Sequence, residues 1–307
     1  MTKTRIAVIG VGHLGQHHAR ILAAMPDVEL VAVVDTKPER AAEIALKHGT
    51  APLTDASALI GRVDAVTIAT PTVSHVEIAL RLVEAGVAVL VEKPLAATLA
   101  EADQLVEAAA ARGTVLATGH TERFNPAVAA ALPLVSSPRF IEIHRLGTFP
   151  ERSLDIDVIF DLMIHDLDVL LAVAGPDVVS VEAVGVNVLT PRVDIANARL
   201  RFASGCIANV TASRISRDRV RKARFFQHDS YVSIDYAAQE VEVYRLVAQN
   251  GGRPAIQGGR VDVATDEPLR RELADFVEAV RTGRQPAVTG RDGRAALALA
   301  TRVAELI

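Results

Sequence analysis

The sequence predicts two domains, an N-terminal α/β domain built on a parallel sheet and a C-terminal α+β domain with a large, mostly antiparallel open sheet. Three observations carry that reading: a length of 307 residues, a regular alternation of short β-branched runs with helical patterns up to about residue 119, and a change to long alternating strands after about residue 123. A chain of this length is long enough for two domains, each burying a core of its own. The division falls at 1–122 and 123–307, placed by the change of pattern because no obvious linker marks it.

In the first part, RIAVIG, VELVAVVD, VDAVTIAT, VAVLVEKP and TVLATGH are separated by Ala- and Leu-rich segments. Continuous apolar runs suit strands buried on both faces, and helices between them make the connections parallel. The helices are marked by their spacing: Val76, Ala79, Leu80 and Val83 recur at i, i+3, i+4 and i+7 before Gly86 ends the run. In the second part a helix over about 157–174 stops before Gly175-Pro176, and VVSVEAVGVNVL, IANARLRFASG, IANVTASRIS, ARFFQHD, YVSIDYA and EVEVYRLV follow as strands. Two helices, about 268–282 and 291–306, close the chain, joined through Gly283, Pro286 and Gly290. There is no internal repeat.

Composition narrows the function classes. The chain is 50% hydrophobic and 23% charged, as ordinary globular proteins are. A formal net charge of -4 argues against nucleic acid or an anionic membrane surface as partner. The single cysteine, Cys206, rules out an intramolecular disulfide and gives no sign of an oxidising compartment, so a cytoplasmic location is expected. With strand-like sequence from Arg5 onward no signal peptide is expected, and no apolar run is long enough to span a bilayer.

The first strand runs into Gly10-Val11-Gly12-His13-Leu14-Gly15, helical sequence follows over His17 to Ala24, and Asp35 stands 20 residues past Gly15 at the end of the second strand. That is the context of a dinucleotide-binding Rossmann turn. Gly10 permits the tight turn, Gly12 admits a pyrophosphate close to the backbone, and Gly15 lets helix and strand pack. The diphosphate then meets unpaired amides at the positive end of a helix, beside His13 and Leu14. Asp35 accepts from the adenosine ribose hydroxyls and repels a 2′-phosphate, which favours NAD over NADP, while Lys37 and Arg40 soften the preference. The bland readings are a glycine-rich turn without a ligand and, for Asp35, a helix cap.

Two further segments carry chemistry. Glu92-Lys93-Pro94 closes the strand VAVLVEKP at the edge where parallel sheets bind ligands. In DLMIHDLD, Asp161, His165 and Asp168 recur at i, i+4 and i+7, which puts them on one helical face while Leu162, Val169 and Leu170 turn inward. By itself this pattern also fits a surface ion pair. A metal site lacks a Cys pair or a second His at ligand spacing.

With GVGHLG, ATPTVSH at 69–75, VEKP at 91–94, RFNP at 123–126, DLMIH at 161–165 and the terminal TGRDGRAALALA, the whole chain resembles the Gfo/Idh/MocA oxidoreductase family. The resemblance implies an active site of Lys93, Asp161 and His165, a cis peptide before Pro94, and a nicotinamide with Thr70, Pro71, His75, Glu92 and Lys93 near it. The residue types fit alcohol oxidation. His165 is the natural proton acceptor, Asp161 one turn earlier orients its ring, and Lys93 donates to the substrate oxygen as alkoxide charge develops.

The substrate is read from local features. Arg214, Arg217, Arg219, Arg221, Lys222 and Arg224 place six basic residues in eleven positions, and in a strand Arg217, Arg219 and Arg221 share a face. Convergent guanidinium groups suit a diphosphate; a solvated hairpin or subunit contact explains them equally. GHTERFNPA, DVIFDLMIHDLDVLL, TASRISRDRVRKARFFQ and YVSIDYAAQ resemble the bacterial nucleotide-sugar subgroup of the family, which oxidises C3 of UDP-N-acetylglucosamine ahead of transamination in lipid A biosynthesis. Arg123 and Asn125 then join Arg217, Arg219 and Arg221 as substrate-binding candidates. The rival readings are an inositol or free-sugar dehydrogenase of the same family and a non-catalytic NAD-binding sensor. An open antiparallel sheet leaves a face to be covered, and the resemblance implies a homodimer or homotetramer built on it.

Overall fold

The computed structural model describes residues 3–149, 156–248 and 253–307. The chain forms two compact units, the first comprising Met1–His120 and Leu269–Arg294, the second Thr121–Pro268 and Ala295–Ile307.

In the first unit β1 (Thr4–Ile9), β2 (Val28–Val34), β3 (Ala51–Leu53), β4 (Ala65–Ile68), β5 (Ala88–Glu92) and β6 (Leu116–Gly119) form one sheet in the order β3-β2-β1-β4-β5-β6. Every neighbouring pair is parallel. The order reverses between β1 and β4, and a doubly wound sheet opens a crevice at the carboxyl ends of its strands at that point. The crossovers are α1 (Gly15–Ala24), α2 (Pro38–His48), α3 (His75–Glu84) and α4 (Leu99–Arg112). Thr98 and Glu101 start α4 with a reciprocal capping box, and Gly113 in the left-handed conformation ends it. β3 escapes the sequence reading because three residues carry no periodicity, and its Pro52 is tolerated on an edge strand.

The core of this unit joins Ile6, Val8 and Leu90 of the sheet to Ile21 and Leu22 of α1. The helix Pro268–Thr282 adds Leu269, Leu273, Phe276 and Val277 to the same core. Those four residues lie at i, i+4, i+7 and i+8, so the stripe that makes the segment helical also makes it cover the parallel sheet, late as it comes in the chain.

The second unit contains α5 (Pro126–Ala131), β7 (Phe140–Leu146), α6 (Ile164–Ala174), β8 (Val178–Val186), β9 (Ile195–Phe202), β10 (Ile207–Ser213), β11 (Val220–Phe226), β12 (Ser230–Asp235), β13 (Glu240–Val247) and β14 (Ala255–Val261). The strands form one sheet in the order β14-β13-β12-β11-β7-β10-β9-β8. β7 and β10 run parallel and the other neighbours antiparallel. One sheet face is apolar: Ile141, Ile143, Val210 and Phe225 pack with Leu167 and Leu170 of α6 and Leu299 and Val303 of the last helix. The sequence reading lacked β7 and β14. FIEIHRL alternates properly but lies before the helix, where no run of strands announces it. AIQGGRV carries two glycines, which weaken a strand pattern, yet β14 pairs with β13, and a Cβ at Gly258 would fall 2.0 Å from the Val243 carbonyl oxygen.

The segment expected as one helix over 157–174 is a π turn, Ile159–Met163, followed by α6. The two terminal helices, Pro268–Thr282 and Gly290–Ala304, lie where their spacing put them.

Candidate active site

The glycine turn has the geometry its three glycines require. Gly10 has φ +81, and a Cβ there would lie 2.8 Å from the Ala69 carbonyl oxygen. At Gly15 an added Cβ would lie 1.8 Å from the Gly10 carbonyl oxygen, so α1 seats directly on the turn. At Gly12 an added Cβ would meet nothing within 4 Å. Two glycines are thus demanded by the protein's own packing, whereas the middle one faces open space, as a backbone that must approach a diphosphate does. His13 and Leu14 are exposed beside it.

Next to the turn a pocket of about 330 Å³ is lined by Gly10, Gly12, Asp35, Thr70, Pro71 and Asp55, among others. The Asp35 carboxylate accepts from the Val11 amide at 3.0 Å and the Lys37 amide at 3.0 Å, which ties the end of β2 to the glycine turn. Arg40 is committed elsewhere: it donates to the Val11 carbonyl, Gln16 and Glu43 at 2.8, 3.0 and 2.7 Å. Pocket, open middle glycine and carboxylate together fit a dinucleotide with free ribose hydroxyls.

At the end of β5 the sequence candidates separate into half-buried and interior groups. The Lys93-Pro94 peptide is cis. Lys93 is half-buried, whereas Glu92 is buried and turned inward. His18 of α1, fully buried, donates from Nε2 to Glu92 Oε1 at 3.1 Å, and Glu92 Oε2 accepts from the Lys93 amide at 3.2 Å. A Cβ at Gly119 would fall 2.8 Å from the Glu92 carboxyl carbon, so β6 makes room for the carboxylate with a glycine. His75 is also interior, with Nδ1 2.9 Å from the Pro94 carbonyl oxygen and Nε2 2.9 Å from that of Thr70. Burial sets the His75 pKa below the usual imidazole range, against the opposing pull of the Thr70 and Pro94 carbonyls and the Glu92 carboxylate. No sequence signal singled out His18; its partner is 74 residues away.

In the second unit Asp161 lies in the π turn and His165 in the first turn of α6, both half-buried. Single π turns are common at functional sites because they re-aim side chains within a helix. Asp168 is directed inward and pairs with Arg123 at 3.3 Å. Asp166, beside His165, is fully buried and meets Arg145 of β7 in a bidentate pair, both bonds 2.8 Å. Arg145 also donates to Glu122 at 2.8 Å and lies 5.5 Å over the Tyr236 ring. Burial pushes the Asp166 carboxyl up, further than Arg145 holds it down. This network anchors the start of α6 to the sheet, and sequence reading missed it because its members are scattered over more than a hundred residues. The Asn125 amide is used within the unit: Oδ1 caps α5 through the Ala127 amide at 3.0 Å, and Nδ2 donates to the Tyr236 carbonyl at 3.0 Å.

The basic cluster divides. Arg214 is buried, bonded to Asp194 and to the carbonyls of Ile156 and Val193. Lys222 and Arg224 pair with Asp235 and Glu142 at 3.4 and 2.8 Å. β11 begins at Val220, so Arg217 and Arg219 lie in the bend before it and only Arg221 of the expected strand trio is in a strand. The reason is tertiary: the Arg214 and Ser216 amides are held to the Asp194 and Gly147 carbonyls, which bends the chain between β10 and β11. Arg217, Arg219 and Arg221 are all exposed, with Arg221 3.9 Å from Glu122.

Comparison with known proteins agrees with this geometry. A family profile described as "Oxidoreductase family, NAD-binding Rossmann fold" matches residues 4–120, and one described as "GFO/IDH/MocA C-terminal domain" matches 142–229. A UDP-N-acetylglucosamine 3-dehydrogenase of Acidithiobacillus ferrooxidans is 41% identical over 305 residues, 99% of this chain and 97% of the relative. Its solved structure superposes with a TM-score of 0.93 at 40% identity, covering 100% of this chain and 98% of that one. A scyllo-inositol 2-dehydrogenase (NAD(+)) of Bacillus subtilis is 28% identical, over 94% of this chain and 90% of the relative. A levoglucosan dehydrogenase in complex with NADH shares the fold, with a TM-score of 0.89 at 21% identity over 99% of this chain and 97% of that one. The chain therefore belongs to the Gfo/Idh/MocA family of oxidoreductases, with an NAD-binding Rossmann fold as its first unit.

Proposed function

We propose that this chain oxidises the C3 hydroxyl of UDP-N-acetylglucosamine, giving the 3-keto nucleotide-sugar. The observation that carries the reading is the 41% identity to the Acidithiobacillus enzyme across nearly all of both chains. NAD, when bound, supplies the hydride acceptor. Gly10, Gly12, His13, Leu14 and Gly15 hold its diphosphate, Asp35 its adenosine ribose, and Thr70 and Pro71 border the pocket. His165 takes the hydroxyl proton, with Asp161 orienting the imidazole. Lys93 donates to the substrate oxygen and stabilises its developing charge. The exposed guanidinium groups of Arg217, Arg219 and Arg221 meet the diphosphate. Asn125, whose amide is spent inside the unit, serves by holding the segment that carries Arg123.

The test is NAD reduction by purified protein with UDP-N-acetylglucosamine, with a transaminase and an amino donor drawing off the product. NADH formation is expected, and Lys93→Ala and His165→Ala each lower kcat by about 10²–10⁴-fold while NAD binding persists. Oxidation of inositols or free hexoses with none of the nucleotide-sugar would overturn the substrate. Near-normal turnover in both variants would overturn the mechanism.

The product's keto group suits amino transfer, ahead of lipid A assembly, and the free, buried Cys206 suits a reducing cytoplasm. A homodimer or homotetramer through the open sheet is supported by a row of rings on its polar face. Phe140, Phe226, Tyr231 and Tyr244, from four adjacent strands, have successive centroid separations of 5.6, 5.2 and 6.3 Å.

A further inference from the structure

We infer that two buried histidines, His18 and His75, are positioning residues that together fix Lys93 by gripping the residues on either side of it. The inference rests on the role proposed above for Lys93.

Lys93 directly follows β5 and precedes the cis peptide to Pro94. Both of its neighbours are held by a histidine. On one side, the Glu92 carboxylate is pinned by His18 Nε2 at 3.1 Å and in turn accepts the Lys93 amide at 3.2 Å. His18 Nδ1 is shielded from water and has no partner among the described residues, so the ring is placed for Glu92 alone. On the other side, the His75 ring is seated between the carbonyl oxygens of Pro94 and Thr70, 2.9 Å from each. The neutral ring that burial favours donates to one of those carbonyls, and only the protonated ring donates to both. Thr70 borders the pocket beside the glycine turn, so the buried ring is packed between the Lys93 loop and the pocket wall. Both histidines are at most 1% exposed, as is unusual for residues without a task in a core. Gly119 completes the arrangement, since a side chain there would displace the Glu92 carboxylate. A general electrophile must be held within a fraction of an ångström, and a shift of about 1 Å costs on the order of 100-fold in rate.

The experiment uses His18→Leu, His75→Leu, His18→Gln, His75→Gln and Lys93→Ala in the full chain, assayed on whichever alcohol the wild type oxidises. The readouts are kcat per NADH-binding site, titrated by NADH fluorescence so that unfolded protein is not counted, and the KM for NAD. Each Leu variant is expected to lose about 10–100-fold in kcat per site with the KM for NAD within about twofold, and the Gln variants, whose amides still donate, to recover most of it. If a Leu variant does not fold, the Gln variant of the same position and a Glu92→Ala variant carry the test with the same expectation of rescue and loss respectively. Wild-type kcat per site in the histidine variants alongside a crippled Lys93→Ala overturns the inference and leaves the mechanism standing. So does a loss confined to the KM for NAD. Full turnover in Lys93→Ala overturns the role of Lys93 itself, and the inference with it.

Discussion

The Gly12 and Gly15 positions show how one motif contains two kinds of requirement. An added methyl at Gly15 would overlap the Gly10 carbonyl oxygen at 1.8 Å, while one at Gly12 would enter empty space. Gly15→Ala is therefore expected to destabilise the folded state by about 1–3 kcal/mol, as overpacking does, whereas Gly12→Ala unfolds at nearly the wild-type denaturant midpoint. NAD titration separates them again, because Gly12→Ala loses affinity through the space it fills. Equal midpoints for the two variants would contradict this division. Glu92 and His75 make the complementary point. The resemblance implies both lie near the nicotinamide, and the structure turns both side chains to the interior, where Glu92 meets His18 and the Lys93 amide and the His75 ring lies 2.9 Å from two carbonyl oxygens.

At the scale of elements, the hairpin from β8 to β9 is closed by a carboxylate. Asp194 is buried, and Oδ2 accepts from the amides of Val188, Leu189 and Thr190 at 2.9, 2.7 and 2.9 Å while Oδ1 accepts from Arg214 at 2.9 Å. Burial alone would raise its pKa, but the Leu189 amide and the Thr190 hydroxyl lead a set of bonds that holds it well below the usual carboxylate range. A carboxyl depressed on folding contributes stability above its unfolded pKa of about 3.9, and that contribution is lost as pH falls towards the folded value. Asp194→Asn is accordingly expected to cost about 3 kcal/mol at neutral pH and to flatten the loss of stability below about pH 4. Urea titrations across that range check it, and an unchanged acid limb would contradict it. The π turn at Ile159–Met163 belongs to the same scale. Sequence spacing predicts a continuous helix with Asp161, His165 and Asp168 on one face; the π turn puts Asp161 in a different helical geometry from His165 and Asp168, which share α6, and Asp168 is buried against Arg123.

Across the whole molecule, the second unit's sheet has one apolar face buried under helices and one polar face with a row of four rings. Val184 and Leu246 on that second face are 59% and 55% exposed. If the face is a subunit contact, the double variant Phe226→Lys, Tyr244→Lys sediments as a monomer while keeping its melting behaviour at high dilution close to wild type. A wild type that already sediments as a monomer at micromolar concentration would end that proposal.

The sequence alone determined what depends on short-range pattern. Continuous β-branched runs separated by helical stripes can only build a doubly covered parallel sheet, and G-x-G-x-x-G between strand and helix fixes the turn, so β1, α1 and the Asp35 corner were legible, as were the two terminal helices. Tertiary structure decided what depends on partners far apart in the chain. β3 and β14 exist because neighbouring strands pair with them, and β7 because it is clasped between β10 and β11. The late helix Pro268–Thr282 found its place in the first unit's core, and the basic cluster divided into buried, paired and exposed members according to which carboxylates the fold brought near. The physical reason is common to all of these: backbone periodicity is written locally, whereas the desolvation that makes a buried charge or histidine seek a partner is settled only when distant segments close around it.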